Sequence, residues 1–397
     1  MEEARARVLA ACPRRIPRPV PIDEALGLAT TAPLVARDPV PPFDNTAMDG
    51  FAVRAADTAG APVTLEVIAT TAAGAAPGPP VGPGQAVRIM TGAPMPPGAD
   101  AVVMVERTSP ANGGAVVVEV AVRPGDHVRR AGEDLAAGQE AFPAGTVLHP
   151  GHLGVLASMG LVTVPAVRLA VGVLSTGDEL VEAPAPLGPG QIRDSNRHAL
   201  LALVRQAGVE AVDLGWAADD EDAIVAAVER GIARCDAVVT SGGVSVGDFD
   251  HVTAAIRHIA TGPMEWLQVA VRPAKPLAFG VVEGVPVFGL PGNPVSSMVS
   301  FELFVRPALR HMGGYPEVDR PRVRATTGVG LPRRPDGKLH LVRVRLTEGD
   351  DGRRRAEAVG GPGSHLLHAM ALANGLALVP DGDGIPPGGA VEVMALG

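Results

Sequence analysis

Lysine is nearly missing from this chain: of 34 basic residues only Lys275 and Lys338 are lysine, and the rest are arginine. An ammonium is a compact point charge where a guanidinium is a planar fork, so the two retained lysines carry weight as candidate ligands. Cysteine is as scarce. Cys12 and Cys235 are the whole complement of 397 residues, with no C-x-x-C pair and no histidine cluster at ligand spacing. That excludes a disulfide framework and a structural zinc site, and it fits a reducing compartment. Aromatics make up 3% and the net charge is −9, which argues against base-stacking platforms and against the basic face of a nucleic-acid binder. The basic run Arg353-Arg354-Arg355 is read as a solvated turn. Long apolar runs are missing as well. The most apolar region, 153–174, is broken by Gly160, Pro165 and Arg168, and the opening MEEARARVLAACPRR is acidic without an apolar core. Neither a membrane span nor a secretory signal is expected, and the chain reads as cytoplasmic. There is no G-x-x-x-x-G-K-[ST], and GGVSVG departs from G-x-G-x-x-G, so a Walker-type nucleotide site is excluded.

What the chain has in quantity is small residues and turns: 46% hydrophobic, with 49 Gly and 39 Pro. That is a globular composition at a length that calls for several cores. Residues 1–44 open with a short amphipathic segment and pass through closely spaced prolines as a connector, which residues 138–166 rejoin with a short helix from Pro150 to a Gly160 cap. Between them, 45–137 shows β-like runs at 63–69, 86–90, 101–106 and 115–122 separated by Gly/Pro turns, an inserted β-rich domain. From 167 to 315, apolar strands at 167–174, 211–216, 236–240, 276–282 and 286–290 alternate with helices at 196–206, 222–232, 251–259 and 294–312. This pattern predicts a central doubly wound, mostly parallel α/β domain. Residues 316–397 return to a two-residue period, as in LHLVRVRL, and read as a small C-terminal β-barrel or sandwich. The expected fold class is multidomain α/β plus β.

Ligands of a doubly wound sheet lie outside the carboxyl ends of its strands. The loops there are STGDEL (175–180), AADD (217–220), TSGGVSVGDFD (240–250) and GLPGNPVSS (289–297). They offer Ser175, Thr176, Gly177 and Glu179, then Asp219 and Asp220, then Ser241, Gly242, Gly243, Asp248 and Asp250, and last Pro291, Gly292, Asn293 and Pro294. Glycine turns expose N–H groups to an anion, while carboxylates beside them repel it unless a divalent cation intervenes. Together they suit a phosphate-bearing ligand with hydrated Mg2+. Asn293-Pro294 opens a helix whose Val295, Ser296 and Ser297 amides lack intrahelical acceptors, an anion site in the making. RPAKP holds Arg272 and Lys275 between prolines as an oxyanion hook, and PPFDNTAMDGFAV adds Asp44 and Asp49. Structural roles remain open for each of these. Asp219 and Asp220 suit helix N-caps, Gly242-Gly243 a tight turn, Glu179 a dipole partner at a helix start, and Asp44 an Asx-turn; Lys338, beside Asp336-Gly337, suits a solvated hairpin.

In order along the chain, PPFDNTAMDGFAV, RIMTGAPMPPGADAVV, RRAGEDL, STGDEL, GQIRDSN, SGGVSVGDFD, RPAKPLAFG and GLPGNPVSS closely resemble the molybdopterin molybdenumtransferases, the MoeA family to which the gephyrin E-domain also belongs. The likeness spans nearly the whole chain. It implies molybdenum insertion: adenylated molybdopterin and molybdate bind, the pyrophosphate bond is hydrolysed with a divalent cation, AMP leaves, and the dithiolene holds the metal. By motif it implies a functional set of Asp49, Thr91, Asp134, Glu179, Asp219 and Asp250, with Pro291 and Pro294 shaping a loop. Glu179 and Asp250 would serve Mg2+, while Arg272, Lys275, Ser296 and Lys338 would serve molybdate. It also implies a homodimer of four-domain subunits, with the cleft between the α/β domain of one subunit and the β-rich domain of the other, and the molybdopterin adenylyltransferase as a further partner. Gln268 and Arg272 stand where relatives commonly have lysine, and Ala369 where they offer serine. Molybdopterin adenylyl transfer and a gephyrin-like peptide-binding scaffold are the alternative functions. The additional β-rich domains count against the first and the retained acids against the second.

Overall fold

The computed structural model describes residues 1–243, 251–262 and 264–396. Backbone contacts divide the chain into two compact units: Met1–Thr31, Gly145–His149 and Val164–Gly397 form one, and Ala32–Ala144 and Pro150–Thr163 form the other.

The first unit is organised by a six-stranded sheet in the order Glu210–Ala217, Ala170–Thr176, Ala237–Ser241, Val285–Leu290, Pro276–Val282, Glu265–Gln268. The first four strands run parallel, Pro276–Val282 pairs antiparallel with Val285–Leu290, and Glu265–Gln268 pairs antiparallel with Pro276–Val282. Parallel strands are covered on both faces, which is why VGVL and AVVT are continuous apolar runs and not alternating ones. Val171 and Val173 enter one core, with Leu200, Val204 and Phe288, while Leu174 enters the other, with Ile224, Val228 and Ile256. The two-residue period of a strand requires that split. Helices Asn196–Gln206, Glu221–Ile232 and His251–Ile259 stand close to their sequence-predicted bounds. The expected helix 294–312 is continuous but changes pitch: Pro294–Ser300 is α-helical, Phe301–Val305 a π turn and Arg306–Met312 α-helical again. The wide turn sits immediately before Pro307, which has no N–H to give to the preceding turn.

The C-terminal region closes on itself. Strands Arg322–Thr326, Leu339–Glu348, Arg354–Ala358, Gly375–Val379 and Ala390–Ala395 form a five-stranded barrel in which Leu339–Glu348 bonds to both Arg354–Ala358 and Gly375–Val379. Val344, Ala356, Ala377 and Val393 fill its interior. Arg354 and Arg355, expected on a turn, lie in a strand, with the turn falling at 349–352. Both side chains lie on exposed positions, so the strand accepts two charges without burying either. A two-residue parallel ladder, Val271–Arg272 against Leu339–His340, joins the RPAKP segment to the barrel.

The second unit carries another six-stranded sheet, ordered Ala101–Met104, Gly50–Val53, Gln85–Ile89, Val63–Thr71, Ala115–Val118, Thr108–Pro110. The strand expected over 115–122 stops at Val118. Beyond it the Glu119 amide still bonds the Arg107 carbonyl in register, but the Val122 amide goes to Thr58 Oγ1 and leaves the ladder. Helix Pro150–Ser158 also belongs to this unit. Among the described residues no helix is long and apolar enough to cross a membrane.

Candidate functional site

Paired strands deliver paired loops. Ser175 lies opposite Ser241 in the parallel ladder, so the chain leaves both strands side by side. At that point Gly242 takes φ 110° against the Thr176 carbonyl, which a Cβ at this position would strike, so only glycine fits. The third loop leaves Val285–Leu290, and the three meet in a cleft of about 1110 Å³. Ser175, Thr176 and Glu179 line it from the first loop, Ser241, Gly242 and Gly243 from the second, and Pro291, Gly292, Asn293, Pro294 and Ser296 from the third. Arg272 and Lys275 line it from RPAKP and Lys338 from the barrel. Gly177 and Asp219 are not among its lining residues, and Asp248 and Asp250 lie outside the described residues.

Several lining groups are committed to the fold. Asp194, buried, accepts from Ser175 Oγ at 3.0 Å, the Arg197 amide at 3.1 Å and Arg197 Nε at 2.9 Å. Arg197 is buried too and reaches Asp213 at 2.6 Å and Glu182. Asn196 Nδ2 donates to Ser241 Oγ at 2.8 Å and the Gly292 carbonyl at 2.7 Å, tying helix start, second loop and third loop together. Other groups are left over. Thr176 Oγ1 and Asn196 Oδ1 are buried without a hydrogen-bond partner among the described residues. Buried polar atoms are costly unless bonded, so both atoms are open to a further partner. Glu179 is exposed and its carboxylate has no bond among the described residues; it rests over Gly177, where a Cβ would crowd its oxygens.

Three structural roles considered from the sequence can now be settled. No helix starts at Glu179. Leu180–Val181 pairs with Ile192–Arg193, and Pro184, Pro186 and Pro189 between them remove the donors a helix would need. The N-cap of Glu221–Ile232 is Asp220, whose Oδ1 accepts from the Ala223 amide at 2.9 Å, whereas Asp219 only gives its own amide to Asp178 at 3.1 Å. The helix start at Pro294 is less open than expected: the Val295 amide donates to the Ser364 carbonyl at 3.0 Å and the Ser297 amide to the Asn293 carbonyl at 2.9 Å. The barrel loop 360–366 covers that end, so among the described residues only the Ser296 amide of the three keeps no bond.

The cationic wall is distinct. Ala274 holds φ 87°, a left-handed conformation that costs a non-glycine residue energy and is tolerated chiefly at functional positions. It sits between Arg272 and Lys275, both exposed. Among the described residues no carboxylate lies within ion-pair reach of Lys275, while Lys338 and Arg272 are 3.7 and 4.0 Å from Asp336. The two lysines, 63 positions apart by their numbers, thus share one cleft. Asp194, Asn196, Ala274 and His365 were not singled out from the sequence. The first two sit in GQIRDSN, where Asp-Ser-Asn at a helix start was a usable signal; His365 and Ala274 had none.

In the second unit Asp49 Oδ1 accepts from both the amide and Oγ1 of Thr91, each at 2.7 Å. Those bonds, the amide first, hold the Asp49 carboxyl below the usual carboxylate range. Asp44 is held down similarly by the Ala131 amide at 2.8 Å and Arg130 at 2.6 Å. Asp134 is exposed, and its amide donates to the Val40 carbonyl at 3.0 Å. Asp49 and Thr91, 42 positions apart, are therefore neighbours. Among the described residues no three histidines, cysteines or carboxylates gather as a metal cluster. Cys12 and Cys235 are free and buried, and burial pushes the Cys12 thiol up to about 12.

Residues 1–160 match the MoeA N-terminal region (domain I and II), 172–311 a probable molybdopterin binding domain, and 324–396 the MoeA C-terminal region (domain IV). Molybdopterin molybdenumtransferase 2 of Mycobacterium tuberculosis is 41% identical, covering 92% of this chain and 91% of its own. The molybdopterin molybdenumtransferase of Bacillus subtilis is 36% identical over 95% of this chain and 89% of its own. A solved MoeA structure from Pyrococcus horikoshii superposes with a TM-score of 0.82 at 31% identity, covering 100% of this chain and 98% of that one. The chain belongs to the MoeA family.

Proposed function

We infer that this chain is a transferase of molybdenum cofactor biosynthesis that inserts molybdenum into molybdopterin. The observation that carries the reading is the cleft itself, where Arg272, Lys275 and Lys338 share a lining with hydroxyl and glycine loops and one uncommitted carboxylate. Molybdate is a compact dianion, and ammonium groups, a guanidinium and the Ser296 hydroxyl and amide can replace its water. Adenylated molybdopterin brings phosphates, for which Ser175, Thr176, Ser241, Gly242 and Gly243 and the loop Pro291, Gly292, Asn293, Pro294 offer hydroxyls and backbone donors. Thr176 Oγ1 and Asn196 Oδ1 would gain the partners they lack. Both substrates then lie in one place, where the pyrophosphate bond can be hydrolysed and AMP released as the dithiolene takes the metal.

Mg2+ asks little of a protein, taking one or two carboxylates and filling its shell with water and phosphate oxygens. Glu179 fits that demand, lining the same cleft as Thr176, and Asp250 is the second carboxylate proposed for it. When bound, the cation neutralises charge on the phosphoryl oxygens. Asp49, held ionised by Thr91, offers a fixed negative charge that can orient water or a cation, with Asp134 and Asp219 completing the acidic set. We also propose a homodimer in which a second copy supplies Asp49, Thr91 and Asp134, the molybdopterin adenylyltransferase as the source of the adenylated substrate, and the cytoplasm as the location.

Anaerobic incubation with adenylated molybdopterin, molybdate and Mg2+ tests the reading through AMP release. Turnover that depends on molybdate and vanishes in Glu179→Gln at unchanged thermal stability is expected. Full turnover in that variant would remove Glu179 from the chemistry. Light scattering should return twice the 40.4 kDa chain mass, and a monomer with full activity would end the dimer proposal.

A further inference from the structure

Lys338 reaches the cleft on a turn, 335–338, that also carries a carboxylate. Asp336 Oδ1 accepts from Arg333 Nη2 at 2.6 Å, and both its oxygens lie 3.1 Å from His340 Nε2. On its other side the contacts are longer: Oδ2 is 3.7 Å from Lys338 Nζ and 4.0 Å from Arg272 Nη1. The short bonds come from the buried side, where the Arg333 side chain is 4% exposed, and the long ones from the cleft, where Arg272 is 56% exposed. The ladder that sets Arg272 opposite His340 fixes this proximity. Arg333 is fully occupied elsewhere, bonding Asp381 at 2.7 Å and the carbonyls of Lys338, Val379 and Pro380.

We propose that Asp336 is a resident counter-ion of the cationic wall: it steadies Lys338 and Arg272 before the oxyanion arrives, and it weakens the hold on the oxyanion once bound. This rests on the reading that an oxyanion sits at Arg272, Lys275 and Lys338. At 3.7 to 4.0 Å the two cations feel the carboxylate without spending donors in good hydrogen bonds to it, so they remain available to a ligand. A ligand held by the same pair then lies near a fixed negative charge, and the repulsion grows with the charge of the ligand. Lys275 has no such partner among the described residues, so the wall is graded, strong at Lys275 and tempered at Lys338. Asp336 is a positioning residue here. The segment also has anchors other than this carboxylate, because the amides of Asp336 and Gly337 are held by Asp381 at 3.0 and 3.1 Å.

Calorimetric titration of the full chain with molybdate, sulfate and the tetrahedral monoanion perrhenate tests this. Asp336→Asn should bind molybdate and sulfate about threefold more tightly, and perrhenate with a smaller gain, the differences shrinking in high salt. Asp336→Glu, which keeps the charge, should return wild-type affinity. Unchanged or weaker molybdate binding in Asp336→Asn would overturn the proposal; should that variant misfold by its thermal midpoint, Asp336→Ser carries the same expectation. Lys275→Ala separates the two levels. If it loses affinity while the Asp336 variants gain none, the counter-ion role fails and the cleft assignment stands, and if it loses nothing, both fail.

Discussion

Each compact unit carries a six-stranded sheet, and Asp44 and Asp49 of the second contrast with the cleft of the first. Those two acids are bonded within the chain, Asp49 by Thr91 and Asp44 by Ala131 and Arg130. In the first, the cleft leaves Glu179, Lys275, Thr176 Oγ1 and Asn196 Oδ1 without a bond among the described residues, while Asp194 is buried among donors. One place holds its carboxylates ionised with donors of its own chain. The other leaves polar groups open to a further partner.

That contrast can be broken from several directions. Arg197→Met would leave Asp194 buried without its charge partner and should cost about 3–5 kcal/mol of stability, read by urea denaturation. A loss no larger than a surface change would show that Asp194 is not committed in the way described. Glu179→Gln should do the reverse, holding stability within about 0.5 kcal/mol while molybdate-dependent AMP release falls on the order of a hundredfold. Lys275→Ala should raise the molybdate concentration for half-maximal turnover about tenfold, and Lys338→Ala about threefold, because Asp336 already tempers Lys338. Equal effects would flatten the gradation of the wall. The smallest effect concerns pH. Thr91 lowers the Asp49 pKa, so Thr91→Ala should raise it and move the acid limb of the pH–rate profile to higher pH. By linkage, a depressed carboxylate contributes stability above its unfolded pKa that is lost as pH falls through its folded one, so this variant should lose stability near neutral pH, with the difference from the unaltered chain shrinking in acid. An unmoved acid limb would detach Asp49 from the rate.

Most of the fold could be read beforehand where periodicity was strong. Helices 196–206 and 251–259 and the strand 276–282 begin and end where the apolar pattern and the turn residues put them. Misjudged points have two causes. Nothing near Val295 announces that the distant Ser364 carbonyl takes its amide, while Arg354 pairs with the nearby Glu348 across a turn whose bounds the charge run obscured. The cleft was legible as a set of loops because the ends of parallel strands must gather, and its two lysines because the chain has so few. Asp194 and Asn196 were overlooked inside a motif whose spacing was noticed but whose hydrogen bonds run to other strands. Strain at Ala274 could be seen only in three dimensions.

The ladder between Val271–Arg272 and Leu339–His340 has a mechanical consequence. Its two backbone rungs tie the RPAKP segment to the barrel, and Leu341, Met370, Leu376 and Met394 of the C-terminal region share one core with the strands of the sheet, so Arg272 and Lys338 stand on a single packed body.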